Sequence, residues 1–199
     1  MNNRIKEILA QITALEDEVE DILHARQEEV IYRLKDGKIR LRKDIEAAQR
    51  KFRTGTIQWL LETRPQNLAT APFIYGMIVP FALLDLCISL YQAVCFPLYG
   101  INKVKRRNYI IIDRHHLGYL NIFEKFHCVY CGYANGLLGY AREIAARTEQ
   151  YWCPIKHASR VLDKHTRYHN FVDYGDAEAY QTSLARLQKE AGNEQPHTE

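Results

Sequence analysis

Residues 71–101 carry a single charged side chain, Asp85, in thirty-one positions. From Pro72 to Ile101 the chain reads PFIYGMIVPFALLDLCISLYQAVCFPLYGI, beyond the roughly 18–20 apolar residues that mark a membrane segment. As one straight helix it would be about 45 Å long, against a hydrocarbon core of about 30 Å. Something is therefore expected to shorten it. Pro80 lies a third of the way along and Asp85 five residues later, where a segment that dips into one leaflet and returns would place its break and its polar group. Tyr75, Tyr91 and Tyr99 are spaced as interfacial anchors. Three placements fit: a re-entrant dip, a single span, or the buried helix of a soluble core, which periodicity does not separate from a membrane helix.

The flanks set the expected sidedness. Lys103, Lys105, Arg106 and Arg107 follow the run, and Arg53 and Arg64 precede it. Basic residues on both sides favour a dip over a crossing and keep both flanks cytoplasmic, on an inner or plasma membrane. Just before the run, Thr56 to Pro65 reads as a short helix whose Trp59, Leu60 and Leu61 suit a headgroup interface. Met1 to Glu7 is polar, so no cleavable leader is expected.

Upstream, Ile5, Ile8, Leu9, Ile12, Leu15, Val19, Ile22 and Leu23 recur at three- and four-residue steps, with acidic residues opposite. That spacing predicts one long amphipathic helix. Its stripe continues less regularly through Val30, Leu34, Leu41, Ile45, Ala48 and Phe52, with Asp36-Gly37 as a break or αα turn. Either a self-associating coiled coil or a helical hairpin folded at Gly37 follows, so residues 3–34 are the expected seam for a homo-oligomer or a partner protein.

Downstream of the run the sequence is aromatic, basic and histidine-rich. Cys128-x-x-Cys131 and Cys153-Pro-x-x-His157 combine thiolate and imidazole donors at spacings that let each pair grip a metal from a tight turn. An odd count of five cysteines fits a reducing compartment, where thiols are more often ligands than disulfide partners. Cys87 and Cys95 fall inside the apolar run and count as small hydrophobes. The leading expectation is a structural Cys3His zinc site on Cys128, Cys131, Cys153 and His157. Iron or an iron-sulfur centre is the alternative cofactor, and a CxxC thiol-disulfide site a third reading.

Secondary ligand candidates are Asp113 with His116, Glu124 with His127, and Glu143. Asp113 to His127 has helical apolar spacing with Asp113 as its cap, after a short β-branched stretch at Tyr109–Ile112. Asn135 is expected to start a separate helix, residues 155–171 to form another, Ala177–Lys189 a last one, and Ala191–Glu199 a disordered tail. His165 and His169 sit among Lys156, Arg160, Lys164 and Arg167 and read as a basic surface.

The sequence thus predicts an all-α protein. Residues 1–53 form a coiled-coil region, 54–108 a membrane-associated segment, 109–190 a metal-clipped helical module and 191–199 a tail. Two functions fit: a membrane-associated, zinc-binding scaffold or accessory subunit, or a membrane-bound metalloenzyme or redox protein acting on a lipid or quinone-like substrate. A net charge of +3 is too small to call for nucleic acid. No Gly-rich phosphate loop, Gly-x-Ser-x-Gly elbow or paired catalytic carboxylate is present.

Overall fold

The computed structural model describes residues 3–30, 32–35, 38–41, 48–53 and 55–193. The chain is mostly helical and divides into two compact units, Met1–Glu62 with Asp113–Phe126, and Thr63–Ile112 with His127–Glu199.

In the first unit, α1 runs Asn3–Val30, a 28-residue helix on the predicted amphipathic stripe. Ile8, Ile12, Leu15, Val19, Ile22 and Leu23 are all exposed along it. The stripe does not continue as helix. Strands β1 (Tyr32–Lys35) and β2 (Lys38–Leu41) pair antiparallel, with Lys35 opposite Lys38. This corrects the expected helical hairpin at Gly37: Asp-Gly between two short alternating segments is the composition of a two-residue β-hairpin connection. Helix α2 (Thr56–Glu62) brings Trp59 to stack on Phe123, with ring centroids 5.4 Å apart. Gln49 Oε1 accepts the Gly118 N–H at 3.1 Å.

The second unit is built on helices α3 (Pro65–Gly76) and α4 (Ile78–Tyr99). Pro65 occupies the first turn of α3, where its missing N–H costs nothing. Met77 between the helices keeps right-handed helical dihedrals, φ −63° and ψ −12°, so the chain does not reverse there. Nor does it reverse at Pro80, which falls in the first turn of α4. The predicted re-entrant break is thereby corrected. Among the described residues, Pro65–Tyr99 is one helix long and apolar enough to cross a membrane.

Helix α4 stops at Gly100, whose φ of 66° is left-handed. The Ile101 N–H reaches the Phe96 carbonyl at 2.8 Å and the Gly100 N–H the Pro97 carbonyl at 3.4 Å. This is a Schellman closure, sealed by burial of both Phe96 and Ile101. The chain then folds back along α4. Gln92 donates to the Val104 carbonyl and accepts the Val104 N–H, and Arg106 reaches Asp85. At Tyr109 and Ile110 the returning backbone crosses the next long helix, α5 (Ile122–Trp152), at Gly136. A Cβ there would overlap the Tyr109 carbonyl and approach Ile110 Cα to 2.8 Å. Tyr109 keeps right-handed helical dihedrals, φ −106° and ψ −41°, and the β-branched stretch after it, Ile110–Ile112, carries no regular structure.

Helix α5 runs parallel to α4. Tyr133 meets Asp85, Tyr140 meets Ser89 and Gln92, Thr148 meets Tyr91, and Tyr151 meets Tyr99. Phe96, Ile101, Val104, Leu137, Tyr140 and Ile144 form the buried core between α4, the return segment and α5.

Two further boundaries depart from the sequence reading. The helix expected from Asp113 begins instead at Ile122, because Asn121 and Glu124 form a reciprocal capping box. Asn121 Oδ1 accepts the Glu124 N–H at 3.0 Å, and Glu124 Oε2 the Asn121 N–H at 2.8 Å. Asn135 starts nothing: it lies inside α5 and donates to the Cys131 carbonyl at 2.9 Å. Residues 155–171, expected as helix, are irregular, with a bridge between Ile155 and Val172 and a 3-10 turn at Thr166–Asn170. Pro154 stops α5 just before them. Helix α6 covers Ala177–Asn193, capped by Asp176 accepting the Ala179 N–H, so the expected tail is helical to Asn193 and otherwise lies outside the described residues.

Candidate functional site

The four leading ligand candidates do not converge. Cys128 and Cys131 lie in the first half of α5, while Cys153 follows its last residue. At 1.5 Å per residue, an unbroken helix keeps the two pairs roughly 30 Å apart. The expected metal clip needed a chain reversal between Gly132 and Tyr151, and α5 passes straight through. His157 is exposed and stacks on Tyr168, whose hydroxyl accepts the His157 backbone N–H at 2.7 Å. Burial, helped by Glu149, pushes the Cys153 thiol up, which makes it a poorer thiolate. No group of three or more His, Cys, Asp or Glu side chains among the described residues is placed to share an ion.

The secondary candidates have other occupations. The Asp113 backbone carbonyl accepts the His116 N–H in a 3-10 turn, and the His115 and His116 rings lie 3.9 Å apart. Glu124 belongs to the capping box. His127 packs its ring against Tyr75, centroids 5.6 Å apart. Glu143 is locked between two guanidiniums: Arg147 Nε and Arg167 Nη2 each donate to its Oε1 at 2.8 Å.

A seam of polar groups runs between α4, the return segment and α5. At one level Arg106 donates twice to Asp85, at 2.6 and 3.1 Å, and Tyr133 adds a third bond at 3.0 Å. Two turns on, Gln92 ties Val104 and the Tyr140 hydroxyl. Beyond it, Arg147 spans from Glu143 to the Asn102 carbonyl at 2.7 Å, and Arg167 from Glu143 to Gln150 at 3.0 Å. Burial raises the Glu143 carboxyl, yet the Arg147 and Arg167 guanidiniums outweigh it and hold it below the usual carboxylate range. Farther along, His165 meets Glu149 at 3.0 Å.

This chemistry is that of a fastener. In this seam Asp85 faces Arg106, Glu143 faces Arg147 and Arg167, and Arg147 also reaches a backbone carbonyl.

The opposite side of the same helices differs. Val79, Leu83, Leu86, Leu90, Val94 and Leu98 recur at three- and four-residue steps on α4, each more than half exposed. Phe81, Leu84, Ile88 and Tyr91 take the inner side, packed on the core. Burying one such leucine is worth about 1.5–3 kcal/mol, so a bare row of six is a surface built to be covered. The sequence reading located this run but not the division of its faces. The signal was there: Asp85, Ser89, Gln92 and Phe96 fall on one side at three- and four-residue steps.

No family model, curated protein or solved structure matches the chain.

Proposed function

We propose that this protein is a membrane-associated scaffold or accessory subunit, non-enzymatic, anchored through α3–α4 and presenting α1 to a partner. The observation that carries the reading is the exposed apolar row on α4, set against a seam on its other side where polar groups are paired. A face of that size on a water-soluble chain invites aggregation, whereas contact with lipid removes it from water. The exposed apolar positions of α1 support the partner role, because a helix with a bare heptad-like stripe gains by pairing with a second copy or another protein. Lys103, Lys105 and Arg107 favour the cytoplasmic side of an inner or plasma membrane.

A zinc ion shared by Cys128, Cys131, Cys153 and His157 within one chain is left out of this proposal, since α5 separates the pairs. The metalloenzyme reading has no observation in its favour: Glu124, His127 and Glu143 are occupied in a cap, ring packing and ion pairs, and Asp113 and His116 share a 3-10 turn.

Fractionation of cells expressing the full chain tests the reading. The protein is expected in the membrane pellet after high salt and alkaline carbonate, with release by detergent. Recovery in the soluble fraction overturns it.

A further inference from the structure

We propose that α3–α4 lies in the plane of the bilayer surface rather than across it, with the row from Val79 to Leu98 in the acyl region of an anionic leaflet and Lys103, Lys105 and Arg107 at headgroup level. The proposal rests on the membrane reading above and specifies its geometry and its lipid.

Length is the first argument. Pro65–Tyr99 is 35 residues, about 52 Å of helix, whereas a crossing needs about 30 Å. A helix in the plane has no such limit. The second argument is the return segment. A basic flank normally marks the end of a span, but here it folds back until Arg106 grips Asp85, in the middle of the apolar helix, and Val104 sits at Gln92. Lys103, Lys105 and Arg107 are exposed on this segment. A bilayer centred on α4 would hold them in hydrocarbon, at about 2.5–3.5 kcal/mol for each such residue near the centre. Sliding the bilayer towards α3 does not help. It would place the His127 ring, which packs on Tyr75, near the midplane.

Laid flat, the same fold costs nothing of this kind. The apolar row faces one way, the polar seam and α5 lie behind it, and the exposed cations sit on the segment that runs along the seam side of α4, above the acyl region. An anionic leaflet is the occupant that fits, because it supplies both an apolar phase and the charge complementary to those cations.

Depth measurement decides. In a background with the five cysteines changed to Ser, single nitroxide labels at Val79, Leu86, Val94 and Leu98 of the full chain are read in vesicles of phosphatidylcholine with a minority of phosphatidylglycerol. The expected result is one common depth, about 5–10 Å into the headgroup-acyl boundary. Depths that pass through the midplane from one end of the row to the other overturn the in-plane geometry while leaving membrane association intact. Labels shielded from both oxygen and water-soluble relaxants mean a second copy covers the row, which also overturns it. Failure to bind vesicles at all removes the membrane reading itself.

Should the cysteine-free chain misfold, Leu86→Trp and Leu98→Trp in the native background, quenched by lipids brominated at graded depths, give the same readout. Their profiles are expected to coincide. The lipid choice has its own arm: Lys103→Gln, Lys105→Gln and Arg107→Gln are each expected to weaken binding to the anionic vesicles roughly fivefold and leave binding to pure phosphatidylcholine unchanged. Equal binding by all variants on anionic vesicles overturns the anionic assignment.

Discussion

Arg106 closes on Asp85 from 21 residues away with a two-point grip, Nη2 to Oδ2 at 2.6 Å and Nε to Oδ1 at 3.1 Å. The only charge in the apolar run is therefore neither a pore-lining group nor a metal ligand. It is the anchor that draws the basic segment back along α4 and fixes where α5 lands, through Tyr133. Asp85 is the more enclosed partner, with its side chain 16% exposed against 48% for Arg106.

That asymmetry sets the first expectation. Asp85→Ala strips Arg106 and Tyr133 of their acceptor, whereas Arg106→Ala leaves Asp85 its Tyr133 bond. The first change is expected to cost about 1–3 kcal/mol and the second less, with solvent screening at Arg106 limiting the coupling. A double-mutant cycle by denaturant titration measures it, and additive effects of the two changes would mean that the pair contributes nothing.

Gly136 and Gly139 separate close approach from ordinary packing on one helix. A Cβ on Gly136 overlaps the Tyr109 carbonyl, backbone that does not yield cheaply, while one on Gly139 meets only the Tyr109 ring at 3.4 Å. Gly136→Ala is expected to destabilise by about 1–3 kcal/mol, and Gly139→Ala to be neutral or stabilising through helix propensity. Thermal melts of the two variants check the order.

The Glu143 cluster predicts acid sensitivity. Its carboxyl is held below the usual range in the folded chain, so its contribution is complete above the unfolded value of about 4.3 and is lost as pH falls through the lower folded value. Glu143→Gln is expected to flatten this acid limb while lowering stability at neutral pH, because Arg147 and Arg167 lose their shared anion. A variant whose stability falls as steeply below pH 4 as the parent's contradicts the assignment.

Expectations for the cysteines now divide. With α5 unbroken between the pairs, Cys153→Ser and His157→Ala are expected to leave any metal at Cys128 and Cys131 unchanged. Element analysis of the purified variants checks this, and a joint loss of metal in all four single variants would show that the four ligands do meet.

Exposure of Ile12 and Val19 on α1 turns the assembly question into a mass measurement. Aspartate at both positions is expected to dissociate the oligomer with secondary structure retained, since neither side chain is buried within the chain. Unfolding instead would place the stripe against the chain's own core.

The legible parts of this fold were those written in long periodicity. The stripe of α1 was read from spacing, and the apolar run from its length and lack of charge. Boundaries set by one or two residues were not. Asn121 with Glu124 is a capping box in plain sight, yet Asp113 was an equally good local cap, and only the side-chain geometry chose between them. Asp36-Gly37 fits a β-hairpin as well as a helix break. The convergence of the four ligands was misjudged for a different reason. Cys128-x-x-Cys131-Gly132 resembles a turn knuckle when glycine is taken as a breaker, whereas Gly132 and Gly136 are there to let the Tyr109–Ile111 backbone lie against α5. A glycine required by a neighbour from elsewhere in the chain leaves no local signature.

Flotation of the purified full chain with vesicles, beside the Leu83→Gln/Leu86→Gln/Leu90→Gln variant, bears most directly on the central claim. The three leucines are exposed, so the variant is expected to keep the parent's helical spectrum while losing more than about a hundredfold in partitioning, at about 1.5–3 kcal/mol per leucine withdrawn from lipid. Parent protein that stays with the soluble fraction, or a variant that floats as well as the parent, would contradict a lipid-facing role for α4.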